Sequence, residues 1–310
     1  MQPARDQTHS GEGRRTAPGL IMLPVVDDQL RRRALGAPAA RSALLTILGE
    51  YVLPGSGSAW QETLINALGT LDYKPQAARQ ALSRSIADHW LRPERRGRRA
   101  RVHLTEETAA MLTAGAKRIY NFGEPWDWHG HWLLVVVRVP ENRRDVRHRV
   151  RTQLAWAGFG SLGGGVWISP HVERESELRA IAADDSAAEL QSFHARFGAF
   201  GEPSNVAASA WSLDAVADTY NEFILRFRRT RPKTPEGVFQ AHTRLVHAWR
   251  KFPFLDPDLP EHVLPADWPR SRAHELFANR HATWQATARA YFSSLDAVGQ
   301  TAPSQRVAAA

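Results

Sequence analysis

One short stretch constrains this chain more than any other. Leu91–Arg95 and Arg99–Leu104 read as two β-prone runs folded about Gly97, and they follow directly on three short helical stretches. The first begins at Arg41, where Leu44, Leu45, Leu48 and Val52 recur at spacings of three and four until Pro54 and Gly55 stop it. The second runs from about Trp60 to Leu71 with Leu64, Ile65 and Leu68 on one face, and Gly69 marks its fraying end. The third opens at Pro75, which suits a first helical turn because its missing N–H would be unpaired there, and it ends near His89 and Trp90. After the hairpin, Thr105 has the character of an N-cap, with Glu106 and Glu107 in the first turn of a helix reaching about Tyr120. None of these pieces can bury its apolar side alone. Three helices, a hairpin and a closing helix predict a winged helix-turn-helix.

The polar residues of that unit carry its chemistry. Gln76, Arg79, Gln80, Ser83 and Arg84 fall on one face of the third helix, while Ala78, Leu82 and Ile86 face the other way. Such a face can enter a major groove, where Arg pairs with guanine and Gln with adenine; an ordinary solvated helix face is the alternative. The hairpin carries Arg92, Arg95, Arg96, Arg98, Arg99 and Arg101 around Gly97. Guanidiniums crowded on so small a ribbon repel one another unless an anion is near, and a phosphate backbone or a narrow minor groove supplies it. An exposed basic loop without function is the alternative there. The net charge of +8, from 40 Lys and Arg against 32 Asp and Glu, favours an anionic partner. The expected partner is double-stranded operator DNA, read by Gln76, Arg79, Gln80, Ser83 and Arg84 and gripped by Arg95, Arg96, Arg98, Arg99 and Arg101.

At 310 residues the chain exceeds the size at which one core keeps growing, and 43% hydrophobic residues are enough for two or three units. Residues 1–38 mix Gln, Thr, Ser, Gly, Pro and Arg without periodicity and read as a flexible tail, within which Met22 is a second candidate start. Trp132–Val139 reads as a buried strand ended by Pro140, and an amphipathic helix from about Asn142 to Ala157 carries Val146, Val150 and Leu154. A hairpin over Phe159–Leu162 and Val166–Ser169, a helix over Glu175–Ala183 and a strand over Leu190–Phe197 complete a ferredoxin-like order. Beyond Trp211 a helix carries Leu213, Val216, Tyr220, Phe223 and Phe227. A second starts at Thr234 and Pro235, and a last one runs from about Arg272 to Ser294. The fold class expected is α+β: a winged helix over 39–120, a linker and ferredoxin-like domain over 121–205, a helical domain over 206–296, and a disordered tail from 297.

No other motif rises to chemistry. There is no Cys, so disulfides and thiolate metal sites are impossible. His129 and His131 flank Gly130 without a helical spacing, Asp184 and Asp185 diverge as neighbours do, and Gly163–Gly165 lack a phosphate-loop Lys and suit a tight turn. No metal, no cofactor and no catalytic set are expected. Gly19–Val26 is short and interrupted by Pro24, which makes a poor signal peptide, and Trp132–Val137 is too short to span a bilayer, so a cytoplasmic protein without membrane attachment is expected.

The runs RSALLTILGEYV, AARQALSRSIADHWL followed by RRGRRARVHLT, GFGSLGGGVWISP and HAWRKFPFLDPDLPEHVLPADWP together resemble the PaaX-type bacterial regulators over about residues 39–296. The resemblance implies a winged helix on operator DNA, a ferredoxin-like middle domain similar to the small endonuclease-like subunit used in CRISPR adaptation, and a helical C-terminal domain. It also implies repression of phenylacetate-degradation genes and release of DNA on binding phenylacetyl-CoA. The strand Trp132–Val139 has no Asp, and Asp127 lies before it, so no nuclease is implied. A CoA ester needs cations and an aromatic slot, for which Arg244, Trp249, Arg250 and Trp268 are the candidates. A homodimer is expected because one recognition helix reads only a few base pairs. A metal-dependent nucleic-acid enzyme that docks through the winged helix, or an effector-free DNA-binding adaptor, are the alternatives.

Overall fold

The computed structural model describes residues 39–301 except Arg98, Pro125, Asp185 and Ser186. The tail over 1–38 and the wing residue Arg98 therefore lie outside the described residues. The fold is α+β. Helix α1 (Ala40–Ile47) continues through a widened π-type turn, Leu48–Val52, before Pro54. A short strand β1 (Ser58–Trp60) precedes α2 (Gln61–Thr70) and α3 (Pro75–Ala87), and β2 (Leu91–Arg96) turns at Gly97 into β3 (Arg99–Leu104). Gly97 has φ of 65°, a conformation cheap only without a Cβ. The three strands form an antiparallel sheet in the order β1-β3-β2, the winged-helix arrangement. Strand β1 escapes sequence periodicity because three residues cannot show one. Thr105 caps α4 (Glu106–Tyr120), its hydroxyl accepting from the Thr108 N–H at 3.3 Å.

The middle unit runs β4 (His131–Arg138), α5 (Arg144–Trp156), β5 (Gly160–Gly163), β6 (Val166–Ser169), α6 (Glu175–Asp184) and β7 (Glu189–Arg196). Its sheet order β5-β6-β4-β7, antiparallel throughout, is ferredoxin-like. Alternation along β4 decides what it buries: Leu133 and Val135 pack with Val146, Val150 and Leu154 of α5 and with Leu178 and Ile181 of α6. Trp132 faces the opposite layer with Ile168, Leu259 and Val263. A Cβ on Gly165 would sit 2.5 Å from the Val137 carbonyl oxygen, so the glycine run is a tight turn pressed on β4.

Helix α7 (Pro203–Ala210), which no sequence signal announced, is followed by α8 (Leu213–Arg228), α9 (Pro235–Trp249), the single turn α10 (Phe252–Leu255) and α11 (Arg270–Thr301). Thr234 caps α9 by accepting from the Gly237 N–H at 3.0 Å. Helix α11 outlasts the expected end at Ser294 because no Pro interrupts it before Pro303. The winged unit does not keep a core to itself. Phe239 of α9 and Ala288 and Phe292 of α11 are buried in one cluster with Leu44, Ile47 and Leu68. Tyr51 packs between rings, 5.0 Å from Phe239 and 5.2 Å from Phe292.

Candidate nucleic-acid interface

Helix α3 buries Ala78, Ala81, Leu82 and Ser85 and leaves Gln76, Arg79, Gln80, Ser83 and Arg84 exposed on the other side. Five polar side chains thus share an uncovered face, as the spacing predicts. α3 packs directly on β2, so the helix that carries this face is a direct neighbour of the basic ribbon. Within the ribbon, cross-strand pairs sort the arginines. Arg92 lies opposite His103, Glu94 opposite Arg101 and Arg96 opposite Arg99, so these six share one face, while Leu91, Val102 and Leu104 point to the core. Arg92, Arg95 and Arg96 are exposed and Arg99 is half-buried.

Glu94 sits at the centre of the basic face, 2.8 Å from Arg96 Nε and 2.6 Å from His103 Nε2, and those partners hold its carboxyl below the usual range. Arg101 departs from the expectation that it faces DNA. Its Nε donates to Ser58 Oγ at 3.0 Å, its guanidinium lies 3.7 Å from Asp296 of α11, and it stacks on Trp60. Asp296 also accepts from the Trp60 N–H at 3.1 Å. Arg101 thus fastens the sheet to α11, a role hidden from sequence because its partners lie far away in the chain.

A PaaX-like protein family model matches residues 39–108, a PaaX protein central Cas2-like domain model matches 125–207, and a PaaX-like protein C-terminal domain model matches 211–294. The chain belongs to the PaaX family. The "Transcriptional repressor PaaX" of Escherichia coli (strain K12) is 26% identical over 281 residues, covering 86% of this chain and 88% of that protein. An uncharacterized protein from Mycobacterium tuberculosis has a similar structure, with a TM-score of 0.54 and 23% identity over 82% of this chain and 99% of its own. That likeness concerns the fold alone. No helix among the described residues is long and apolar enough to cross a membrane.

The family block around Trp249 does not form the expected cation-and-aromatic slot. Trp249 is fully buried, stacks on Phe277 at 4.7 Å and donates to the Ile119 carbonyl at 3.1 Å. Arg250 donates to Ser42 O at 3.0 Å and Ser42 Oγ at 2.6 Å, and burial pushes its guanidinium down to about 10. Arg244 reaches across to Asp72 at 2.5 Å. Trp268 is half-buried and packs among both the C-terminal and the middle-domain clusters. Three of the four bind the helical domain to the winged unit, and an apolar helical stripe looks the same in sequence whether it meets a ligand or a neighbouring helix. Cations and an aromatic side chain meet elsewhere. A cleft of about 580 Å³ in the middle domain is lined by Arg138, Arg147, Arg151, Trp167 and the Gly163–Gly165 turn. His129 and His131 stay beside Arg196 on the surface, where no third ligand joins them among the described residues. The side chains of Asp184 and Asp185 lie outside the described set.

The joint is acid-sensitive by construction. His247 of α9 contacts Thr46 Oγ1 at 2.9 Å, and burial, followed by the charges of Arg250, Lys251 and Arg226, pushes its imidazole from 6.5 down to about 3. The folded chain keeps this ring neutral and the unfolded chain does not, so its stability is complete above pH 6.5 and is lost as the pH falls toward 3. At pH 5 the loss is about 2 kcal/mol relative to pH 7. Urea denaturation at the two pH values checks this, with His247→Asn expected to shrink the difference by that amount.

Proposed function

We propose that this chain is a transcriptional repressor that binds operator DNA through α3 and the β2–β3 ribbon. The carrying observation is the uncovered polar face of α3, a helix packed on a ribbon whose outward face bears Arg92, Arg96 and Arg99. The repressor relative supports the same reading, and it makes binding, rather than catalysis, the chemistry of the molecule. Units at 39–120, 121–205 and 206–296 are the working division. In this reading Gln76, Arg79, Gln80, Ser83 and Arg84 reach base edges, Arg95, Arg96 and Arg99 bind phosphates, and two protomers read half-sites about one helical turn apart. Selection from random duplexes yields the operator, and footprinting measures that spacing.

Arg79→Ala and Arg84→Ala are each expected to cost roughly 1 to 3 kcal/mol on the selected operator, with little loss on scrambled duplex. Fluorescence anisotropy on both duplexes checks it, and an equal loss on both would assign these side chains to the backbone.

The effector reading is an acyl-CoA such as phenylacetyl-CoA, for which the cleft offers the cations Arg138, Arg147 and Arg151 beside Trp167, itself only 6% exposed. An effector that releases the repressor binds the low-affinity conformation better, and linkage requires operator DNA to weaken effector binding by the same factor. Calorimetry with phenylacetyl-CoA, alone and with saturating operator, tests both. Equal affinities would remove the switch, and loss of binding in Arg147→Ala with Arg151→Ala would support the cleft.

A further inference from the structure

The joint between the winged unit and the C-terminal helices encloses a polar cluster that DNA binding does not use. Glu50 follows α1, His242 lies on α9 and His281 on α11; each offers one ligand atom, all within 4.8 Å of one another. Glu50 Oε2 is 3.4 Å from His281 Nε2 and 3.9 Å from His242 Nε2. His242 is fully buried, and its Nε2 faces the carboxylate without a hydrogen-bond partner.

The surrounding hydroxyls decide where the His242 proton sits. Thr243 Oγ1 donates its proton to the Phe239 carbonyl at 2.8 Å, so toward Tyr51 it can only accept. The Tyr51 O–H therefore donates to Thr243 at 2.8 Å, and the Tyr51 oxygen accepts from His242 Nδ1–H at 2.8 Å. Only this placement satisfies all three contacts. It leaves His242 Nε2 without a proton, aiming a lone pair at Glu50. The Tyr120 O–H donates to the other Glu50 oxygen and holds the carboxylate in position. A buried lone pair facing a carboxylate oxygen across 3.9 Å is an electron-rich gap that a cation satisfies.

We propose that Glu50, His242 and His281 bind a divalent first-row transition ion, with zinc as the probe. Two imidazoles and one carboxylate are a common donor set for such ions, and a fourth position remains for water or the Tyr120 oxygen. Around an ion with bonds of about 2.0 Å, tetrahedral neighbours lie roughly 3.3 Å apart. The Glu50–His281 separation of 3.4 Å is already near that edge. Tyr51 fixes the tautomer of His242 from outside the coordination sphere, as outer partners of ligating histidines do. One ligand comes from the winged unit and two from the helical domain, so the ion would clamp the two together.

The test uses the full chain stripped by a chelator. Calorimetric titration with Zn²⁺ is expected to give one ion per chain, and Co²⁺ is expected to give visible ligand-field bands. Glu50→Gln and His281→Gln should lose this event while keeping the circular dichroism and melting temperature of the metal-free parent. Tyr51→Phe should weaken it by roughly 10-fold. The pair His129→Gln and His131→Gln should leave it unchanged. Absence of stoichiometric binding and of Co²⁺ bands in the parent would overturn the proposal, as would unchanged binding in Glu50→Gln and His281→Gln.

Discussion

Replacing Arg95, Arg96 and Arg99 together by alanine is expected to weaken binding to every duplex alike and to flatten its dependence on salt. Each lost phosphate contact removes about 0.9 from the slope of log affinity against log salt, so three remove about 2.7 per protomer. Between 50 and 200 mM salt the parent should then lose roughly 40-fold more affinity than the variant. The wing can lose these groups without harm to the fold, because Arg95 and Arg96 are exposed and the core of the ribbon is made by Leu91 and Val102. Glu94 already neutralises part of Arg96, so the Arg96 share should be the smallest of the three. Anisotropy titrations at several salt concentrations measure the slope, and an unchanged slope would show that the wing does not clamp phosphate.

The second large effect is on folding. Arg270, at the start of α11, is buried and donates to both carboxylate oxygens of Asp256 at 2.9 and 3.0 Å and to the Leu259 carbonyl at 3.1 Å. It also pairs with Asp258 at 3.0 Å, while the Tyr220 hydroxyl donates to Asp256 at 2.8 Å. Burial still pushes the Asp258 carboxyl up to about 6. Arg270→Met strips the cation from the buried Asp256 and the partly buried Asp258, and breaking such a pair from one side costs about 3 to 5 kcal/mol. Asp256→Asn combined with Arg270→Met should recover part of that loss, because the orphaned charge is gone. Urea denaturation of the parent and the two variants checks the order, and an Arg270→Met chain as stable as the parent would show that the network contributes nothing to stability.

Local chemistry made much of this architecture legible. The turn at Gly97, the Thr105 and Thr234 caps and the alternation of Leu133 and Val135 each depend on neighbours a few residues away. What stayed hidden depends on distant partners. β1 exists only because Ser58–Trp60 pairs with Arg101–His103, and Arg101 turns inward because Asp296 waits there. Arg250 and Trp249 read as ligand-binding candidates, but Ser42 takes up the Arg250 guanidinium and Phe277 covers the Trp249 ring. Glu50, His242 and His281 sit on separate elements with no motif spacing, so nothing local in the sequence marks them as a group. The recognition face was readable for the opposite reason, since residues that touch nothing else keep the periodicity of their own helix.

Helix α11 joins two parts of the molecule that the sequence keeps apart. Its first residue, Arg270, is locked into the Asp256–Leu259 segment that packs on the middle domain, and Asp296 near its far end holds the sheet of the wing. A straight helix of 32 residues is about 48 Å long. Such a rod works as a lever. Tilting its Arg270 end by about 5° sweeps the other end through about 4 Å, a displacement close to the rise of a base pair (about 3.4 Å). A displacement of the middle domain at the Arg270 end would be felt at the wing, carried by α11 and the α9 residues packed along it.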